Sequence, residues 1–146
     1  MSFVDCIDKG LIRESADAKG KIEQSIVMGD KFLNSAKKNL DIEEYEVCEI
    51  IAYDALFHYA RALLFSKGYT ERSHACLFLA LKKLYPDRQE LFERADKIRL
   101  ERHNLQYMGL ATDFESVEFV LELVEEFRDE TKKMIEKTKI INMKGA

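Results

Sequence analysis

Asp54, His58 and Arg61 stand at i, i+4 and i+7 within Ile50 to Gly68, a stretch otherwise apolar nearly all the way round when wound as a helix. All three project from one face of a helix that must pack on several sides. Polar groups there are costly unless paired. Asp54 can hold His58 protonated or orient its ring. Alternatively Arg61 is clamped by Asp54 or by a carboxylate from another helix, a structural network reason enough for the row. The structural reading is favoured.

A second group lies in Arg99 to Tyr107, RLERHNLQY. Arg102 falls on an apolar stripe where Leu or Ile is expected, so its guanidinium must meet a carboxylate, carbonyls or a bound anion. Arg99 and His103 share a neighbouring face at i, i+4, with Gln106 beyond. Two arginines, His103 and Asn104 within six residues resemble a phosphate-binding cluster. The alternative is a cationic helix C-terminus favoured by the dipole. His74 follows a turn and reads on its own as a cap or surface residue. The three histidines do not have the spacing of a helical zinc motif, so no metal site is expected. No phosphate-loop glycines, nucleophile elbow or Cys-x-x-Cys occur, and nothing calls for a cofactor.

The elements that must carry these residues are helical. Residues 17–40 place Ile22, Ile26, Gly29, Phe32 or Leu33, Ala36 and Leu40 on one face and lysines on the other. Asp41 with Glu44 predicts a capping box for the central helix, and Gly68 its end. Residues 70–85 form a third segment, closed by Tyr85-Pro86. A fourth runs over 87–107, with Leu91, Ala95, Ile98, Arg102 and Leu105 inward and Gly109 as its stop. Thr112 with Glu115 predicts the cap of the last helix, whose stripe includes Val117, Val124 and Phe127. No segment alternates with period two, so no sheet is expected. Short connections make neighbours antiparallel. The expected fold is all-α, an up-and-down bundle of four to five helices over residues 17–140, with an arm or short helix at 1–16 and a fraying tail at 141–146.

The chain has 146 residues, 47% of them hydrophobic and 34% charged, which suits one soluble domain with a proper core. A net charge of −4 offers no global field for nucleic acid, so any RNA contact needs a local basic patch. Cys6, Cys48 and Cys76 are odd in number and widely spaced. They read as reduced thiols, hence a cytoplasmic location. Neither a signal peptide nor a membrane-spanning stretch is read.

From about Lys21 to Lys137 the chain resembles the HEPN superfamily, in particular its small prokaryotic single-domain branch. The resemblance is carried by Ala52 to His74, AYDALFHYARALLFSKGYTERSH, and by Arg99 to Gly109, RLERHNLQYMG. It implies an all-α bundle, commonly dimeric, whose arginine-to-histidine motif lines a cleft between subunits. It also implies metal-independent ribonuclease chemistry, often in toxins paired with a small nucleotidyltransferase. There histidine takes the 2′-hydroxyl proton and arginine stabilises the phosphorane. This sequence departs from that pattern. Counting from Arg102, four residues intervene and the histidine position holds Tyr107, a poor base near neutrality. His103 is adjacent and points about 100° away on a helix.

Catalytic roles therefore fall on Arg102, Tyr107, His103 and Asn104, and ligand contacts on Asp54, His58, Arg61, His74 and Arg99. The leading reading is a dimeric module, with a degenerate Arg-x4-Tyr motif, that binds nucleotide, RNA or a separate nucleotidyltransferase polypeptide. A second is a toxin-type ribonuclease using Arg102 and a histidine from another helix. A third is a structural adaptor with no ligand.

Overall fold

The computed structural model describes residues 1–145. Six α-helices carry the chain: α1 (Phe3–Asp8), α2 (Ile22–Asp41), α3 (Tyr45–Ser66), α4 (His74–Leu84), α5 (Gln89–Met108) and α6 (Phe114–Gly145). α3 is the core element. Tyr53, Leu56, Tyr59, Leu63 and Phe65 on it are all sealed from solvent, and α2, α4, α5 and α6 pack around it. Its apolar circumference requires that position.

α2 and α3 form an antiparallel hairpin. Gly29 lets the two backbones approach: a Cβ there would lie 2.6 Å from the Tyr59 ring. The ring is held because its hydroxyl donates to Asp30 Oδ1 at 2.5 Å. The connection differs from expectation. α2 continues through Asp41, and a turn with Glu43 at φ 62° replaces the expected Asp41 capping box, leaving α3 without a side-chain cap. Gly68 and Gly109, at φ 84° and 69°, end α3 and α5 as their left-handed backbone requires.

Pro86 opens a short 3-10 turn between α4 and α5. At the start of α6 the cap is Asp113, whose Oδ1 accepts from Ser116 N at 2.8 Å. Thr112 is drawn instead to Glu49, donating its hydroxyl to Oε1 at 3.2 Å. α6 buries Val117, Val120, Val124, Phe127, Met134 and Ile135. It stays helical through Gly145, past the point where fraying is expected, and Ala146 lies outside the described residues.

Two sequence expectations are corrected. A small sheet exists: β1 (Ile12–Glu14) pairs antiparallel with β2 (Tyr69–Glu71), Ile12 opposite Glu71. Each strand has three residues, too short for a period-two pattern to register. And the cysteines are not all thiols. α1 brings Cys6 onto α4, where it is disulfide-bonded to Cys76, 70 residues away in sequence. Cys48 alone is free, with burial pushing its thiol up to about 11. The cytoplasmic expectation loses the support it drew from reduced cysteines. Among the described residues no helix is long and apolar enough to cross a membrane.

Candidate functional site

Arg102 leaves the apolar stripe of α5 to lie over the ring of Tyr53 on α3, its guanidinium carbon 4.4 Å from the ring centroid. The Tyr107 ring centroid lies 5.9 Å from the same carbon, and Nη1 donates to Gln106 Oε1 at 3.0 Å. No carboxylate pairs with Arg102 among the described residues, and its buried Nε has no partner. A cation on an aromatic face, free of a counter-ion, keeps its charge available to an anion.

The same tyrosine reaches His74. Tyr53 Oη lies 2.6 Å from His74 Nδ1, and the imidazole stacks on Phe57 at 4.0 Å and 6°. Ser73 caps α4 through Cys76 N, which places His74 on the first turn beside α3. Burial pushes the Tyr53 phenol up to about 12, tempered by Arg102, so the phenol keeps its proton. The phenol shares its 2.6 Å hydrogen bond with His74 Nδ1, and the Arg102 guanidinium also acts on its oxygen. Crowding by its neighbours, then the charges of Arg102, Arg99 and Arg61, hold the imidazole below its usual value.

The Asp54, His58, Arg61 row does not act as one unit. Arg61 Nε is paired with Glu71 Oε1 of β2 at 2.6 Å and lies over Phe57 and Phe65. The clamp is thus a carboxylate from another element, here a strand. His58 stacks on Phe32 of α2 at 5.4 Å and 3°, with Nδ1 buried and unpartnered. Asp54 is half-buried on the Arg102 side. Burial raises its carboxyl, opposed by Arg102.

Of the remaining residues, Arg99 is paired with Asp96 at 2.6 Å. His103 is exposed, its ring 5.0 Å from that of Tyr107. Asn104 lines a separate 480 Å³ cavity with Glu49, Glu101 and Leu105. Tyr53 was not singled out from the sequence, although it joins Arg102 to His74. The signal for it was the aromatic pair Tyr53 and Phe57 at i, i+4, one turn apart on the face carrying the polar row.

A family model described as HEPN domain matches residues 22–135. The chain belongs to the HEPN family. The match spans α2 to most of α6, and so includes both the Tyr53–His74 pair and Arg102. No curated protein matches the chain. HEPN membership fits the observed helical bundle and places the protein among generally nucleotide- or RNA-related domains.

Proposed function

We propose that this HEPN protein binds single-stranded RNA or nucleotide phosphate at the Arg102–Tyr53–His74 cluster and does not cleave it efficiently. One observation carries the reading: Arg102, in no ion pair among the described residues, lies on the same tyrosine that hydrogen-bonds His74. Arg102 and His74 supply phosphate contacts, and Tyr53, Phe57 and Tyr107 supply ring surface. Inefficient cleavage follows from the residue types at the motif. Tyr107 is a weak base at neutral pH, and His74 Nδ1 is already engaged by the Tyr53 hydroxyl.

The test is fluorescence anisotropy with a labelled single-stranded RNA in EDTA. Arg102→Ala is expected to weaken binding about tenfold or more, matching the loss of a charge-assisted contact of roughly 1.5–3 kcal/mol. Unchanged affinity in Arg102→Ala defeats the proposal. The ribonuclease alternative requires cleavage in EDTA that disappears in both Arg102→Ala and His74→Ala.

The reading includes a homodimer and a separate nucleotidyltransferase partner. Exposed Tyr107, Met108, Leu110, Phe114 and Phe119 at the α5–α6 end support an association surface. Light scattering on the purified chain checks the dimer. A monomer at all concentrations removes it.

A further inference from the structure

The N-terminal arm grips the turn that carries His74 from both sides. Before that turn β1 pairs with β2, Ile12 opposite Glu71, and Arg72 N donates to the Leu11 carbonyl at 2.8 Å. After it, Cys6 of α1 is bonded to Cys76, two residues beyond His74 on the first turn of α4. Only Arg72 to Ala75 lie between the two grips, with Ser73 capping the helix by accepting from Cys76 N at 3.2 Å. The β2 side also reaches the imidazole through side chains. Glu71 holds Arg61 over Phe57, and Phe57 stacks on His74 at 4.0 Å.

Apart from the bond, the arm has little to hold it. α1 has six residues, well short of the roughly 12–15 that make a helix stable alone. Cys6 is its one buried residue, while Val4 and Ile7 are 62% and 38% exposed. Phe3 adds an edge contact to the Tyr69 ring at 6.1 Å. Two paired strands of three residues each are marginal by themselves. The covalent link is therefore the strongest of the arm's attachments, and it ends two residues from the histidine that hydrogen-bonds Tyr53. Both sulfurs are sealed, so a reductant reaches them when α1 lifts.

We infer that the Cys6–Cys76 bond is a redox-sensitive strap that fixes the position of His74, and with it the affinity of the Arg102–Tyr53–His74 site. The affinity part rests on the function proposed above, and the positional part does not. A dithiol reductant supplies the two electrons and two protons. The S–S bond breaks, Cys6 and Cys76 become thiols, and the reductant closes into its own disulfide. α1 then leaves α4, and the turn from Arg72 to Ala75 is gripped from the β2 side alone. The imidazole thereby loses its fixed 2.6 Å contact with the Tyr53 hydroxyl.

The test is NMR of the full chain with labelled imidazoles, before and after dithiothreitol, at a temperature below the melting transition of both forms. Reduction is expected to shift the His74 ring signals, while those of His103 and the amides of residues 117–127 in α6 stay in place. Cys6→Ser is expected to show the reduced pattern from the outset and to ignore dithiothreitol. Anisotropy with a labelled single-stranded RNA is expected to show binding about tenfold weaker after reduction, equivalent to one charge-assisted contact. The inference is overturned if the His74 signals are the same in both forms, or if they move only together with the α6 amides as the whole fold loosens. It is equally overturned if oxidised and reduced chains bind RNA alike. Should neither form bind, the function proposed above fails, and the ring signals still decide whether the strap exists.

Discussion

Glu49 is 2% exposed, with the Thr112 hydroxyl on one oxygen and no cation paired to it among the described residues. Burial raises its carboxyl above the usual 4.5, aided by the negative charge of Glu101. The sign follows: above the raised value the folded state carries a disfavoured charge, and below 4.5 neither state carries one. Glu49→Gln, which keeps an oxygen for Thr112, is therefore expected to stabilise the protein at pH 7. The gap to wild type should close as pH falls through the window down to 4.5. Urea denaturation across that range measures it, and a gap independent of pH contradicts the assignment. Arg102 allows the opposite kind of check. With a ring and no carboxylate beneath it, Arg102→Ala should cost about 0.5–1 kcal/mol of stability. A buried ion pair would cost roughly 3–5 kcal/mol, and a melting experiment distinguishes the two. The misfit of Arg102 on its stripe was legible in the sequence. Its partner was not, because Tyr53 lies 49 residues away and reads there as ordinary core.

Among the elements, α2 and α3 depend on a close approach at Gly29. Gly29→Ala would add helix propensity of up to about 1 kcal/mol. It also drives a methyl into the Tyr59 ring, which Asp30 prevents from swinging aside. Overpacking of about 1–3 kcal/mol should dominate, so the variant is expected to melt lower. If it melts higher, the ring gives way and the close contact is not limiting. Helix periodicity made the buried faces of α2, α5 and α6 legible beforehand, since long amphipathic patterns accumulate signal. Caps were less legible. Asp41 and Thr112 have suitable types, yet the chain uses Asp113 and a left-handed Glu43, because tertiary partners such as Glu49 decide where a helix begins. The three-residue strands lie below what alternation can reveal.

Across the whole molecule, the Cys6–Cys76 bond ties the N-terminal arm to the bundle over 70 residues of chain. Loop-closure entropy for such a span amounts to about 4 kcal/mol. Adding reductant, or making Cys6→Ser, is therefore expected to lower the melting temperature by several degrees. No change on reduction would mean the arm is held by β1, Phe3 and Leu11 alone. Neither the bond nor the arm's docking could be read from spacing, because pairing depends on α1 meeting α4. The arm also has a place in time. β1 cannot acquire its partner until Tyr69 to Glu71 exist, whereas α2 and α3 meet through a tight turn as soon as both are made. Short-range closure is faster than long-range closure. The α2–α3 hairpin is thus expected to assemble first, and the residues synthesised earliest to be among the last to find their seat.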